Sequence, residues 1–366
     1  MFSTPSWTNP PLTDSPVVQA TGESQQPCLK DDDMKKLLPI IGFCLTAVIL
    51  SAPVSYAKQQ VWKIGHVRPA GSAIDKDIKQ FVEAIATGTD GAITFSIYPA
   101  NKLGDYSVVQ ERVSFGEVEM YVGPFGTAVD KKLMLAFPPF LVDNWAAARR
   151  LYAASSPLVT HLQDFLAVQN IKLIGGWPVY FGGIALTEKP VEPGNPEVSK
   201  NMIIRVPPIR SFEMTARALG YTPYPITWMY AKMGLKTGMV KGMIGGGAEG
   251  YKGLSSLVKY YVPVKDHFEY WFVYMNLDTW NSLSTEQQQI ISDSARDMEL
   301  RRYQTAEQDE QRNIAALQEL GVEVVSLSDA EHQKMREKVR QTVWPQLRKD
   351  IGQPFDDVVQ FVEQNN

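Results

Sequence analysis

The sequence predicts an α/β protein of two lobes, and three observations carry that expectation. Short apolar strands alternate with amphipathic helices in the first third of the chain, the alternation resumes after residue 170, and one polar periodic segment near residue 300 is longer than a single lobe can cover. A chain of 366 residues, 44% hydrophobic and 21% charged, holds ample material for two such cores. With 36 basic against 40 acidic side chains the formal charge is -4, which argues against nucleic acid as a partner.

The elements are justified in chain order. Met34, Lys35 and Lys36 precede an apolar run from Leu37 to Leu50, and Ser55-Tyr56-Ala57 closes it with small residues. That is the plan of a secretory signal peptide over 34–57, cleaved after Ala57. About 14 apolar residues are fewer than the roughly 20 that span a bilayer. Residues 1–33, rich in Pro, Ser, Thr and Gln, read as a disordered or mis-assigned leader. Cys28 and Cys44 both precede the expected cleavage point, so the exported product is expected to lack disulfides, thiol chemistry and cysteine metal sites. It keeps 33 basic and 35 acidic side chains, a charge of -2, and any preference for anions must come from a local site.

Val61 to Val67 reads as a strand, and Ile74, Ile78, Phe81, Val82 and Ile85 have helical spacing. A strand over Ala92 to Tyr98, a Pro99-Ala100-Asn101 turn, a helix from Ser107 to Phe115 and a strand from Glu119 to Gly123 follow, so the sheet is expected to be largely parallel. The second round comprises Lys172 to Gly175, an apolar turn-rich stretch from Trp177 to Leu186, a breaker-dense loop over Lys189 to Pro196, and a strand from Met202 to Val206. Helices over Ser211 to Leu219 and Tyr230 to Thr237 complete it. Ser284 to Leu320 is the long helix, with Ser284 and Gln287 set for a capping box, Gly321 for the C-terminal turn, and a possible break at Arg301-Arg302.

Motifs of common enzymes are absent. The four histidines are 65 or more residues apart, and there is no HExxH, GxSxG or P-loop. Gly245-Gly246-Gly247-Ala248-Glu249-Gly250 matches GxGxxG formally, but deep in the second lobe, where a glycine bend near a ligand or hinge accounts for it equally. The informative residue is Arg205, inside the apolar strand end Ile203-Ile204-Arg205-Val206 and just before Pro207-Pro208. An arginine there needs an anionic partner, either a protein carboxylate or a ligand. Aromatics cluster at loop and strand ends, among them Trp177, Tyr180, Phe181, Trp228 and Trp271; several of them near one arginine would suit a carboxylate with an apolar body.

Taken together these features resemble the solute-binding proteins of TRAP transporters, the DctP-type family, over nearly the whole chain from about Trp62 to Val362. In the first lobe the resemblance rests on Phe95-Ser96-Ile97-Tyr98-Pro99-Ala100-Asn101-Lys102-Leu103-Gly104-Asp105, Gly116-Glu117-Val118-Glu119-Met120 and Phe137-Pro138-Pro139-Phe140-Leu141. In the second it rests on Ile204-Arg205-Val206-Pro207 and Leu235-Lys236-Thr237-Gly238-Met239-Val240-Lys241-Gly242. The resemblance implies a two-lobe periplasmic binding protein fold with hinge strands and a lobe-spanning helix. Residues 58–178 with about 273–300 would form lobe I, and 179–272 with about 301–366 lobe II. It also implies a monomer without cofactor or metal, located in the periplasm, that binds a small organic acid and delivers it to one small and one large membrane subunit.

By the same resemblance Arg205 grips the ligand carboxylate through two parallel hydrogen bonds and Trp228 packs on the ligand. Trp177, Tyr180, Phe181, Gly245 and Trp271 join it from the second-lobe side, and His66, Arg68, Tyr106 and Phe125 from the edges of the first. Departures from the family pattern at Tyr230, Lys232, Lys241, Pro208 and Met243-Ile244-Gly245 remove side-chain hydrogen-bonding partners, so a bulky or aromatic monocarboxylate such as an aryl or indolyl 2-oxo acid is expected over a sugar acid. Arg68 as a second anion anchor would favour a C4-type dicarboxylate instead. An exported enzyme would require product formation, and a periplasmic ligand-sensing module would bind without transport.

Overall fold

The computed structural model describes residues 59–365; the expected leader and signal segment lie outside the described residues. The first lobe opens with strand β1 (Gln60–His66), helix α1 (Ala73–Gly88), strand β2 (Ile93–Tyr98), helix α2 (Tyr106–Ser114) and strand β3 (Met120–Gly123). Ile74, Ile78, Phe81 and Ile85 form the buried stripe of α1, and Asp105 caps α2 by accepting from the Ser107 amide. After a 3-10 turn over Lys131–Ala136 come α3 (Trp145–Leu151) and α4 (Pro157–Ala167), the latter started by a Ser156 cap and proline in its first turn.

Strand β4 (Ile171–Phe181) leaves this lobe. It leads directly to β5 (Gly183–Leu186), β6 (Ile203–Val206), α5 (Arg210–Ala218), β7 (Thr222–Pro225), α6 (Trp228–Lys236), β8 (Gly242–Gly246), α7 (Ala248–Lys252) and β9 (Tyr260–Val262). Strand β10 (Phe268–Asn276) returns to the first lobe. Then follow α8 (Leu277–Asn281), α9 (Thr285–Glu319), β11 (Glu323–Val324), α10 (Asp329–Thr342), α11 (Trp344–Ile351) and α12 (Gln353–Gln364).

Two sheets result, ordered β2-β1-β3-β10-β4 and β11-β9-β5-β8-β6-β7. They are mixed rather than largely parallel. β1 runs parallel to β2 and β3, whereas β10 is antiparallel to β3 and β4. The cause is topological: a chain that leaves a lobe on one strand and returns on its neighbour must run the other way. The crossing segments hydrogen-bond to each other, Gly182 N–H to the His267 carbonyl at 2.8 Å and Lys265 N–H to the Gly182 carbonyl at 2.9 Å.

The lobe boundaries differ from those expected. β4 stays in the first sheet through Phe181 and β10 joins it at Phe268, so the crossings fall at Gly182 and at 263–267 rather than after 178 and 272. The tail also divides. Helices α11 and α12 pack on α3, α4 and the 3-10 turn of lobe I, with Trp344 donating to the Pro139 carbonyl at 2.9 Å and His161 bonded to Asp357 at 2.9 Å. The apolar stripe Phe355, Val358, Val359 and Val362 drives that docking.

Helix α9 is unbroken. Its capping box is formed by Ser284 and Gln287, and 35 residues at about 1.5 Å each give a rod of roughly 50 Å that packs on α1 and β4, then on α7 and β11. Arg302 does not interrupt it. Its guanidinium lies 4.2 Å from the Trp177 ring centre, donates to the Pro178 carbonyl at 3.0 Å and pairs with Asp309 on the next turns.

Candidate ligand-binding site

Arg205 sits on β6, between β7 and β8, in register with Tyr224 and Met243. It is 1% exposed. Nε donates to the Ile226 carbonyl at 2.7 Å and Nη1 to the Ile244 carbonyl at 3.3 Å, while the Trp228 ring lies 5.6 Å from the guanidinium carbon. Among the described residues no carboxylate lies within ion-pairing distance. Burial lowers its pKa, and Tyr106, Tyr251 and Asp105 act on it only through space. An arginine stays charged even so, which leaves a desolvated cation with most of its five donors unused.

The guanidinium faces a small chamber of about 50 Å³ between the lobes. Tyr106 and Val67 line it from lobe I, Phe212, Trp228 and Gly245 from lobe II, and Tyr180, Glu269 and Trp271 from the paired strands β4 and β10. Arg68, just past β1, is the second cation. Unlike Arg205 it is compensated: Nη2 lies 2.8 Å and Nε 2.9 Å from Glu249 Oε2 on α7, and the guanidinium is held between the rings of Trp228 and Trp271 at 5.2 and 4.9 Å. Burial opposes that charge, but Glu249 and Tyr180 outweigh it and raise the Arg68 pKa. Arg68 and Trp228 also line a larger cleft of about 940 Å³ between Pro69 and α6.

Glu269 accepts from Trp271 Nε1 at 2.6 Å and from His267 Nε2 at 3.0 Å, and His267 Nδ1 is 2.8 Å from Asp266. Burial alone would depress the His267 pKa, yet the two acids push it up to about 10, so the ring is an imidazolium at neutral pH. The glycine run beside the chamber is steric. Gly245 has φ +80° and a Cβ there would stand 2.4 Å from Pro207, while a Cβ on Gly247 would stand 2.5 Å from the Tyr180 ring.

The structure thus gathers Arg205, Arg68, Tyr106, Tyr180, Trp228, Gly245 and Trp271 around one chamber. Four expected residues lie elsewhere. Trp177 stacks on Trp271 at 5.4 Å, donates to Asp77 at 2.7 Å and lines the larger cleft rather than the chamber. Phe181 packs on Trp145 and Phe268 because β4 turns its face away from the chamber there. His66 is buried against Asp75 at 3.3 Å under α1. Phe125 stacks on Phe272 at 4.3 Å in the lobe I core. Sequence reasoning missed Glu249 and Glu269, although a lone acid in the run Phe268 to Met275 poses the same question as Arg205.

Comparison with known proteins identifies the family and the fold. Residues 64–350 match the family described as bacterial extracellular solute-binding protein, family 7. A solute-binding protein of Albidiferax ferrireducens is 25% identical over 84% of this chain and 91% of its own. A TRAP periplasmic solute-binding protein of Desulfovibrio salexigens, solved with orotic acid, superposes with a TM-score of 0.76 at 20% identity, covering 83% of this chain and 97% of that one. One from Haemophilus influenzae, solved with L-gulonate, gives 0.76 at 21% identity over 84% and 99%.

Proposed function

The chain belongs to bacterial extracellular solute-binding protein family 7, the DctP-type receptors of TRAP transporters that bind small organic acids, and from that premise we propose that Arg205 is its carboxylate anchor. The observation that carries the reading is a buried guanidinium that, among the described residues, has no carboxylate within ion-pairing distance. Two parallel N–H···O bonds to a ligand carboxylate would compensate the charge. The ligand is captured between the lobes and handed to the small and large membrane subunits, without chemical change.

The walls favour a monocarboxylate with a bulky or aromatic body, of which an aryl or indolyl 2-oxo acid is the narrow choice. Trp228, Trp271, Tyr106, Tyr180 and Phe212 offer ring faces. Arg68 is already neutralised by Glu249, so a second ligand carboxylate would have to displace that acid. Orotate and L-gulonate, bound by two relatives, mark a flat ring and a polyhydroxylated chain as extremes, and the ring suits these walls better. A chamber of about 50 Å³ is below the several hundred Å³ usual for ligand pockets, so the lobes must part to admit such a body.

The test is a thermal-shift screen of aryl 2-oxo acids, aliphatic mono- and dicarboxylates and sugar acids, with calorimetry on the hits. Ring stacking contributes about 0.5 to 1.5 kcal/mol beyond area burial, so an aryl acid is expected to bind roughly twofold to tenfold tighter than an aliphatic acid of equal charge. A short dicarboxylate or a sugar acid as the tightest ligand would contradict the aromatic reading.

A further inference from the structure

Arg68 and Arg205 both line the chamber, and the Trp228 ring centre lies 5.2 Å from one guanidinium carbon and 5.6 Å from the other. Their separation is at most the sum of those distances, a span that a short dicarboxylate bridges with one carboxylate on each cation. Two guanidinium groups so placed would by themselves make a receptor for dianions. Glu249 changes that balance.

Glu249 reaches Arg68 from outside the chamber. Its Oε2 lies 2.8 Å from Nη2 and 2.9 Å from Nε, yet the side chain lines the larger cleft and not the chamber. Arg68 is 7% exposed and lines both spaces, so a charge that faces the ligand is cancelled from behind. Nearby His267 offers no replacement cation, because its ring is shared by Asp266 and Glu269. A second ligand anion at Arg68 would meet Glu249 across one guanidinium, in surroundings where like charges repel far more strongly than in water.

The pair also joins the lobes. Arg68 follows β1 and packs on Trp271 of β10 in the first sheet, whereas Glu249 on α7 and Trp228 on α6 belong to the second lobe. Parting the lobes to admit a ligand takes Glu249 and Trp228 away from Arg68, and closure restores the ion pair and the ring contact together. Glu249 thus supplies for closure what a second ligand carboxylate would otherwise have to bring.

Resting on the Arg205 reading, we propose that Glu249 is a built-in counter-ion that latches the closed lobes through Arg68 and restricts the site to ligands with a single anionic group. It acts by charge rather than bulk, since its side chain stands outside the chamber.

The experiment uses matched acids on the full chain: 3-phenylpropanoate against phenylsuccinate, and pentanoate against glutarate. They are titrated calorimetrically at constant ionic strength into wild type, Glu249→Gln, Glu249→Gln with Arg68→Met, and Arg205→Met, with circular dichroism on each variant. Wild type should bind the monoacid of each pair about tenfold tighter or more. Glu249→Gln keeps the size and removes the charge. It should weaken the monoacid about tenfold, because the closed form loses its ion pair, and strengthen the diacid until the preference reverses. Adding Arg68→Met should erase the diacid gain. A wild type that binds the diacid as tightly as the monoacid, a preference or a monoacid affinity that Glu249→Gln moves less than threefold, a diacid gain that survives Arg68→Met, or no binding of any probe overturns the proposal. An unmoved preference with all binding lost in Arg205→Met sinks this inference alone, whereas binding indifferent to Arg205→Met sinks the anchor reading beneath it.

Discussion

Arg205 and Gly245 show what a single residue can and cannot reveal. Arg205 was legible because a guanidinium inside an apolar strand end conflicts with burial, and that conflict points to a ligand or a protein acid. The structure gives it carbonyl partners at Ile226 and Ile244 and, among the described residues, no acid within ion-pairing distance. Glu269 posed the same conflict inside Phe268 to Met275, but the surrounding aromatics read as core. His66 and Phe181, at the ends of β1 and β4, lie away from the chamber because residue type and sequence position do not fix which face of a strand a side chain takes, and Phe125, in the loop after β3, packs into the lobe I core. Gly245 is where the backbone itself is constrained, with φ +80° and the Pro207 ring where a Cβ would go. Gly245→Ala is expected to lower unfolding stability by about 1 to 3 kcal/mol, read by denaturant melts. An unchanged midpoint would mean that Pro207 yields without cost.

Among the elements, α9 was the most legible, since a capping box and a long periodic stretch are local signals. Strands β4 and β8 were not, because Gly175-Gly176, Pro178 and the glycine run of β8 carry turn signatures that pairing with neighbouring strands overrides. How α9 is tied to the crossing strands yields a pH prediction. Tyr270 on β10 donates to Glu299 on α9 at 2.7 Å, and burial pushes the Glu299 pKa up to about 7. The folded state then holds a proton that the unfolded chain, with its ordinary value near 4.5, releases. Stability due to this group falls as pH rises from about 4.5 to about 7, and the full penalty persists above. Glu299→Gln keeps the acceptor for Tyr270 and removes the charge. It should stabilise the protein by about 1 to 3 kcal/mol at pH 8 and by little at pH 4 to 4.5, by urea unfolding at both. An equal effect at both pH values would contradict the assigned shift.

At the scale of the whole molecule, two lobes and a spanning helix were expected, and both are present. The exact crossings were not legible, because strand ends within a continuous apolar run leave no mark, and neither was the return of α11 and α12 to lobe I, which depends on long-range packing. The lobes meet through the Arg68–Glu249 pair, the shared strands β4 and β10, and α9, with Arg205 closed between them. The central claim is that this enclosure exists to compensate one cation with a ligand carboxylate. The most direct measurement is a calorimetric titration of the tightest acid from the screen into wild type and Arg205→Met, with circular dichroism to verify the fold. Replacing an uncompensated buried charge by an apolar side chain should leave the fold intact. Loss of a buried charge pair costs about 2 to 5 kcal/mol, so affinity should fall roughly 30-fold to several-thousand-fold. An affinity within threefold of wild type would contradict the account.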